Sequence, residues 1–219
     1  MCTLLVVMAH PDDAELLCYG TIKRYAEKGY DCHLVIATKG EQAVMTQAPK
    51  GSRIAETEDA FKNIDIKISC LNFPDGFLRH EIPLMTALQK QIETIKPTII
   101  ITHNPGYGGL EHQDHDELGK ATYSAAIRYG THLKKLLFAE PLYSSMISFQ
   151  ANVFINIDKY YQEKIASIKS HISQEGKFYT DERHLEIRAN VMAPYLNIMS
   201  GERFKGKYES FFLAYEIKI

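Results

Sequence analysis

The chain has 219 residues, of which 45% are hydrophobic and 24% are charged, and its formal net charge is -2. This composition is typical of an ordinary globular protein that is long enough to bury a substantial core, and we expect a single domain over residues 1–219. The charge balance offers no basic face for a phosphate backbone, so nucleic acid is not an expected partner.

The cysteines and the apolar runs argue against a disulfide-rich protein and against a membrane or secreted protein. The four cysteines form no CxxC pair, which argues against a disulfide scaffold and against a thiolate zinc site. The apolar run at 4–9 is too short to cross a bilayer, and no positively charged segment precedes it as a signal peptide would require. We therefore expect no membrane partner and a cytoplasmic location, while the formation of a homo-oligomer stays open.

Secondary-structure signals alternate along the chain between continuous apolar runs and amphipathic segments. Runs that are apolar throughout predict strands covered on both faces, and apolar residues at helical spacing predict helices. The predicted elements, in chain order, are strand 4–9, helix 13–28, strand 32–38, helix 52–62, strand 66–73, helix 83–96, strand 98–102, a helix from about 118 to 129, strands 136–143 and 153–157, helices 160–172 and 182–199, and strand 211–217.

Strands and helices that alternate at this spacing favour right-handed βαβ units. We therefore predict an α/β fold, namely a Rossmann-like three-layer α/β/α sandwich with a mostly parallel sheet. In such sheets, ligands bind beyond the carboxyl ends of the strands, at the point where the strand order reverses. For the order 3-2-1-4-5 this point lies between the first and fourth strands, where the loops 10–15 and 103–115 would meet.

The first of these loops, residues 10–15, reads HPDDAE. A nucleotide-binding protein would place a glycine-rich turn here, whereas these carboxylates would repel a phosphate. Adjacent carboxylates beside an imidazole are instead stabilised by a divalent cation. The alternative is that Asp12 and Asp13 only cap the following helix, but this alternative does not account for His10 at the end of the strand.

The second loop carries the sequence HQDH at 112–115, after the glycine-rich stretch 105–109. Two histidines three residues apart can face the same side of a turn or helix start, so at least one can reach a metal held by the first loop. Taken alone, two surface histidines would be the more frequent explanation. The position of this pair after the fourth strand, opposite His10 and Asp13, favours a metal site.

Three protein ligands and one open position are the usual plan of a catalytic zinc site. We assign His10, Asp13 and His115 as the ligands of a Zn²⁺ ion, although ligands of these types accept several divalent cations. The metal would lower the pKa of a bound water molecule and polarise a carbonyl group.

The remaining polar residues of the two loops then receive catalytic roles. Asp12 would take a proton from the metal-bound water, and His112 would donate to the oxyanion. Asp114 would orient His112 as a supporting carboxylate.

At these residues the sequence resembles the LmbE/PIG-L family of metal-dependent N-deacetylases. The A-H-P-D-D-x-E and H-x-D-H segments of the family are matched at 9–15 and 112–115. Further matches follow in the family's order: T-x-G-E at 38–41, R-x-x-E-x-x-x-A at 53–60, P-D-G at 74–76, and a lysine with H-x-S-Q at 164 and 171–174.

The resemblance implies a Rossmann-like fold, zinc held at the positions of His10, Asp13 and His115, and Asp12 as general base. It also implies that the substrate partner is a small N-acetylated sugar conjugate of the N-acetylglucosamine type, whose amide is hydrolysed. The identity of the aglycone is left open.

Substrate-binding residues are also implied by the resemblance. Arg53 and Asp75 fall at positions that contact substrate hydroxyl or phosphate groups in related enzymes, and Glu41 lies in the matched turn. The chain departs from the family at Gln113, where proline is usual, and it lacks a tyrosine two residues before His112; Tyr107 would substitute through folding of its loop. The simpler alternatives are that Arg53 forms a solvated ion pair with Glu56 and that residues 75–76 form only a turn.

Two other functions remain alternatives. A metal-dependent hydrolase could act on an ester or on an amide that carries no sugar, because the metal ligands do not define the acyl acceptor. A non-catalytic sugar-binding protein could use the same scaffold with a structural zinc. Asp12 argues against the second alternative, since a structural site does not need this additional carboxylate.

Overall fold

The computed structural model describes residues 2–43, 52–106, 111–142, 149–190 and 206–217. Within these ranges, strands and α-helices follow one another as the sequence predicts. They are β1 (Thr3–Met8), α1 (Asp13–Glu27), β2 (Asp31–Thr38), α2 (Ser52–Ala60), β3 (Ile66–Phe73), α3 (Ile82–Ile95), β4 (Ile99–His103), α4 (Gln113–Tyr129), β5 (Lys135–Ala139), β6 (Val153–Asn156), α5 (Tyr161–Lys169), α6 (Glu182–Asn190) and β7 (Tyr208–Glu216).

The strands of the described residues form one sheet in the order β3-β2-β1-β4-β5-β7-β6. The first five strands pair in parallel, whereas β7 is antiparallel to both β5 and β6. The predicted order 3-2-1-4-5 and the mostly parallel sheet are thus confirmed. The strand order reverses between β1 and β4, so a ligand site is expected at their carboxyl ends.

Alternating side chains of β1 build two separate cores, one on each face of the sheet. Leu4, Val6 and Met8 pack with α1, α5 and α6, while Leu5 and Val7 pack with α3 and α4 on the opposite face. All five side chains are 0% exposed, and burying a side chain of this size contributes about 1.5–3 kcal/mol. The three-layer sandwich is confirmed, and the loop after β1 starts from a strand that is buried along its whole length.

Several boundaries differ from the predicted ones. Helix α4 begins at Gln113, five residues before the predicted start, because His112 caps it and two aspartates in its first turn complement the helix dipole. The strand predicted at 136–143 ends at Ala139, and the predicted helix 182–199 is described only to Asn190, since its remainder lies outside the described residues. Among the helices of the described ranges, none combines the length and hydropathy that crossing a membrane needs.

A buried ion pair supports a kink in α1. The helix is interrupted at Cys18, whose φ is -151°, and the nearby backbone N–H groups of Gly20 and Thr21 donate to the carboxylate of Glu209 at 3.0 and 2.7 Å. Lys164 donates to the same carboxylate at 2.6 Å. Glu209 and Lys164 are both buried, so this carboxylate joins α1, α5 and β7 behind the loop that follows β1.

We expect Glu209→Ala to lower the free energy of unfolding by about 3–5 kcal/mol, because it leaves a buried ammonium and two backbone N–H groups without their acceptor. Urea unfolding measures the change. Glu216→Ala is the matched control: Glu216 lies on the same strand and pairs with the half-exposed Lys135 at 3.0 Å, so its loss should cost less than about 1 kcal/mol. Equal losses in the two variants would contradict this role of Glu209.

Candidate metal centre and active site

Three side chains predicted as metal ligands converge where the strand order reverses. The Nδ1 atom of His10 lies 3.2 Å from Nε2 of His115. The carboxylate oxygens of Asp13 lie 3.3 Å from His115 Nε2 and 3.5 Å from His10 Nδ1. All three residues are buried. We call this group the candidate metal triad.

The candidate metal triad has the spacing of a small divalent cation site. Zinc bonds to nitrogen and carboxylate oxygen are about 2.0–2.2 Å long, so ligand atoms on a tetrahedron lie roughly 3.3 to 3.6 Å apart. His10 Nδ1 and His115 Nε2 lie 3.2 Å apart, and the two oxygens of Asp13 lie 3.3 Å from His115 Nε2 and 3.5 Å from His10 Nδ1, respectively. One ligand atom from each residue lies within 4.8 Å of the other two. The three side chains are therefore close enough to hold one small cation together.

Each imidazole of the triad has a carboxylate against its other nitrogen. His10 Nε2 lies 3.1 Å from Asp75 and 3.3 Å from Asp114, and His115 Nδ1 lies 3.2 Å from Glu111. Histidines that bind metals commonly donate their second N–H to a carboxylate, which fixes the tautomer and the ring orientation. Both rings are thus oriented so that the nitrogen that faces the triad can bind a cation once it has lost its proton.

A second group, formed by His10, His112 and Asp114, also has ligand atoms close together. Asp114 is fully buried, and its oxygens accept hydrogen bonds from the backbone of Gly76 at 2.7 Å and Leu78 at 3.0 Å. Because this carboxylate is already satisfied by backbone donors, it serves better to hold the 76–78 loop against His10 than to bind a metal.

The electrostatics of the triad favour positive charge. Burial opposes the charged form of His115, but the carboxylate of Asp13 outweighs this effect and raises the pKa of His115 to about 9. Burial likewise opposes ionisation of Asp13, yet the neighbouring His115 holds its pKa well below the usual range. An ionised carboxylate in this position attracts a cation into the site.

Asp12 lies beside the triad but is held by different partners. Its φ of 105° is in the left-handed region, and its side chain makes no capping hydrogen bond to α1. One carboxylate oxygen lies 3.0 Å from Arg53, and the other accepts from the hydroxyl of Tyr179 at 3.3 Å. Burial raises the pKa of Asp12, and Arg53 partly offsets that rise. Simple helix capping therefore does not explain this residue.

Arg53, predicted to contact substrate, donates hydrogen bonds to backbone groups of the protein itself. It donates to the carbonyl oxygens of Gly40 at 3.0 Å and Pro11 at 2.6 Å, in addition to its contact with Asp12. Gly40 has a φ of +65°, and a Cβ atom there would come within 2.1 Å of the guanidinium. The T-x-G-E turn therefore needs its glycine so that Arg53 can approach, and Arg53 positions Asp12.

The other predicted supporting residues lie mostly behind His10. Asp75 faces His10 and accepts from the backbone of Gln42 at 2.8 Å; although burial opposes its ionisation, the hydrogen bond with His10 lowers its pKa to about 2. Glu41 is exposed and accepts from the backbone of Asp75 at 3.0 Å. Asp114, predicted to orient His112 through its carboxylate, places that carboxylate against His10 instead. Tyr107 lies outside the described residues.

His112 presents a hydrogen-bond donor to the cavity. Its Nδ1 accepts from the backbone N–H of Asp114 at 3.2 Å, so the proton of the neutral ring is assigned to Nε2. Burial lowers the pKa of His112, which favours the neutral form. The ring packs edge-on against His10 with 4.5 Å between centroids, and it lines the same cavity as the triad.

Sequence reasoning missed His103, the last residue of β4. Its ring stacks on His115 with 4.0 Å between centroids, and its Nε2 accepts from the backbone N–H of Ala9 at 3.0 Å. Burial lowers the pKa of His103 to about 4. A signal was available, because His103 ends β4 beside the switch point just as His10 follows β1.

The C-terminal part of the chain closes the site from the other side. The triad, Asp12 and His112 line a cavity of about 260 Å³, and Lys177 and Tyr179 also line it. A larger cavity of about 1060 Å³ lies next to it; this second cavity shares Lys177 but contains no member of the triad. We therefore take the smaller cavity as the candidate reaction site.

The H-x-S-Q segment anchors this closing wall. His171 contacts Glu15 on α1 through Nε2 at 2.8 Å, and the backbone and hydroxyl of Ser173 donate to Glu56 on α2 at 2.9 and 2.5 Å. Both residues are buried. Glu56, considered from sequence as a partner of Arg53 on the helix surface, instead binds this segment.

Comparison with known proteins establishes the family. Residues 5–126, more than half of the chain, match the model of the PIG-L family, described as GlcNAc-PI de-N-acetylase. The chain therefore belongs to this family, as the motifs of the sequence predict.

Individual relatives and solved structures agree with this fold. A probable N-acetyl-alpha-D-glucosaminyl L-malate deacetylase 2 of Bacillus anthracis is 26% identical over 191 residues, which cover 78% of this chain and 80% of the relative. The N,N'-diacetylchitobiose deacetylase structure from Pyrococcus horikoshii has a TM-score of 0.78 at 19% identity, covering 96% of this chain and 83% of that one. A 4-carboxy-2-hydroxymuconate hydratase from Pseudomonas putida KT2440 has a TM-score of 0.84 at 17% identity, covering 100% and 98%.

We expect His115→Ala to weaken zinc binding by more than about a hundredfold, since loss of a supporting partner alone costs about 10–100-fold in metal proteins. His112→Ala should bind zinc nearly as well as the original protein, because His112 is outside the triad. Calorimetric titration of metal-depleted protein measures both affinities. A stronger effect of His112→Ala than of His115→Ala would favour the group that contains Asp114.

The anchoring residue His171 should give a measurable pH dependence of stability. Burial opposes its charged form, but the carboxylate of Glu15 outweighs burial and raises its pKa above 6.5. Its contribution is therefore complete below pH 6.5 and is lost as the pH rises through the folded-state pKa. We expect the difference in unfolding free energy between the original protein and His171→Asn to be largest below pH 6.5 and to shrink as the pH rises above it, measured by urea unfolding of metal-depleted protein.

His184→Asn is the matched control for this experiment. Burial lowers the pKa of His184, so its contribution to stability is lost as the pH falls. The corresponding difference should fall as the pH drops below 6.5 and should stay nearly constant above it, where the difference for His171→Asn shrinks. Identical slopes for the two variants would contradict the role of Glu15 in holding a charged His171.

Proposed function

We propose that this protein is a metal-dependent hydrolase that removes the N-acetyl group from an N-acetylglucosamine-type conjugate. The observation that carries the proposal is the candidate metal triad with a separate carboxylate, Asp12, in the same cavity. A metal site with a spare proton acceptor is the combination that hydrolysis of an amide needs. Membership of the PIG-L family and the deacetylase names of the relatives support the choice of an N-acetyl substrate.

The triad of His10, Asp13 and His115 would hold the cation. Two imidazoles and one carboxylate at tetrahedral spacing suit Zn²⁺, while leaving other divalent ions as candidates. When bound, such a cation polarises the acyl carbonyl and lowers the pKa of a water molecule to about 7.

Asp12 would act as the general base. Its carboxylate lies in the cavity but is not required by the triad, and the contacts with Arg53 and Tyr179 hold it in one orientation. Burial raises its pKa, which increases its affinity for the proton that the attacking water must lose. The leaving amine needs one proton, and the proton collected by Asp12 satisfies that need. The products are acetate and a free amino sugar.

His112 would stabilise the oxyanion of the tetrahedral intermediate. Because its Nδ1 accepts a backbone hydrogen bond, its Nε2–H is the donor available to the cavity. A preoriented donor of this kind contributes more to the transition state than to the planar amide, since negative charge develops on the oxygen only during attack.

Fold similarity alone does not choose the reaction. Proteins named as a hydratase and as a deacetylase both share this architecture at under 20% identity. The proposal therefore rests on the family membership and on the site, and the ester hydrolase and the non-catalytic sugar-binding protein remain its rivals.

We expect Asp12→Asn to retain zinc but to lose roughly 10²–10⁴-fold in kcat, because the acceptor of the water proton is removed. The assay is acetate release by zinc-loaded protein from N-acetylglucosaminyl malate and N,N'-diacetylchitobiose, together with metal analysis of each sample. Asp31→Asn is the matched control. Asp31 is the first residue of β2, and it pairs with the exposed Lys67 of β3.

Three outcomes would count against the proposal. Full activity of Asp12→Asn would remove the assigned base. Faster turnover of simple acetate esters than of N-acetyl sugars would favour the ester hydrolase. Absence of acetate release from a broad panel of N-acetylated sugars by zinc-loaded protein would favour the sugar-binding protein.

A further inference from the structure

Lys177 lies in a segment whose backbone is fixed to the core. The preceding turn is anchored by the buried contacts of His171 and Ser173 with α1 and α2. The backbone N–H of Lys177 donates to the carbonyl of Gln174 at 3.2 Å, and Gly176, with a φ of +85°, allows the chain to reverse there. The position of Lys177 is therefore set by structure that is independent of the cavity.

The ammonium group of Lys177 faces the ring of Tyr179, with 5.7 Å from Nζ to the ring centroid. Tyr179 in turn donates to Asp12. These contacts place the Lys177 ammonium on the wall of the cavity, where Tyr179 connects it to Asp12, the proposed base. Within the described ranges, no carboxylate is placed at ion-pair distance from Lys177 Nζ, whereas the other cation of the cavity, Arg53, is paired with Asp12.

The surroundings of Lys177 disfavour an isolated positive charge. The side chain is partly buried, and burial lowers its pKa, with Arg53 adding to that effect and Asp12 and Asp75 opposing it. A partly desolvated ammonium gains more from a hydrogen-bonded anion than one in bulk water does. Lys177 also lines both the reaction cavity and the larger neighbouring cavity, so it lies where a conjugate would leave the reaction site.

We propose that Lys177 is a specificity-determining residue that binds an anionic group, a carboxylate or a phosphate, on the aglycone of the substrate. The sugar with its N-acetyl group occupies the cavity of the triad, and the acidic aglycone extends past Tyr179 towards Lys177. This inference rests on the proposed function. Arg53, the cation that the resemblance implies would contact substrate, is engaged by Pro11, Gly40 and Asp12, so Lys177 would supply the positive charge for an acidic conjugate.

The test compares kcat/KM of zinc-loaded protein for three probes: N-acetylglucosaminyl malate, N-acetylglucosamine 1-phosphate and the neutral N,N'-diacetylchitobiose. We expect the original protein to prefer at least one acidic probe, and the preferred probe distinguishes a carboxylate from a phosphate. Lys177→Met should lower the ratio of acidic to neutral kcat/KM by roughly ten- to a hundredfold, mainly through KM, because one charge-assisted hydrogen bond is lost.

Two matched variants separate local binding from general effects of charge. Lys177→Arg keeps the positive charge and should keep most of the preference for the acidic probe. Lys90→Met removes an exposed lysine of α3 that does not belong to the cavity wall, and it should leave the ratio unchanged. A ratio that falls equally in Lys90→Met and Lys177→Met would overturn the proposal, since long-range attraction would then explain the preference.

A binding measurement distinguishes failure of this inference from failure of the proposed function. Calorimetry of metal-depleted protein with N-acetylglucosaminyl malate should show weaker binding by Lys177→Met than by the original protein. If no probe is hydrolysed but this difference in binding is present, the deacetylase proposal fails and the anion site stands. If the probes are hydrolysed but Lys177→Met leaves both the ratio and the binding unchanged, the anion site fails and the deacetylase proposal stands.

Discussion

The site depends on the buried carboxylate of Asp13 more than on any other group. It accepts the backbone N–H of His10 at 2.8 Å and lies 3.2 Å from His103 and 3.3 Å from His115. These contacts join the loop after β1, the end of β4 and the first turn of α4. A single anion therefore fixes three chain segments and also provides the negative charge around which a cation site can form.

The order of the first five strands and the meeting of His10, Asp13 and His115 were predictable from sequence. Hydrophobic runs identify buried strands, and the topology of parallel sheets determines which loops meet. The start of α4 was harder to predict from sequence, because its first turn is polar and resembles a loop. The antiparallel placement of β7 between β5 and β6 has no local signal either, since it depends on pairing between distant segments.

For the supporting residues, too, the sequence predicted membership of the site but not the individual contacts. The sequence indicated that Arg53, Asp75 and Asp114 belong to the site, but not that Arg53 would hold Asp12 or that both aspartates would face His10. Tyr179 was missed altogether, because a scattered tyrosine in a short turn has no periodicity or spacing that distinguishes it. Its contact with Asp12 spans 167 residues of sequence, and only the folded chain brings the two together.

The left-handed backbone of Asp12 lowers the stability of the folded chain at the candidate site. A residue with a side chain costs about 1–3 kcal/mol in such a conformation, and glycine would adopt it without that strain. The contacts with Arg53 and Tyr179 compensate part of the cost only while the carboxylate is present. Glycine at this position would relieve the backbone strain but would remove the carboxylate and both of its contacts, so the strained residue is also the one that places an additional carboxylate beside the candidate metal triad.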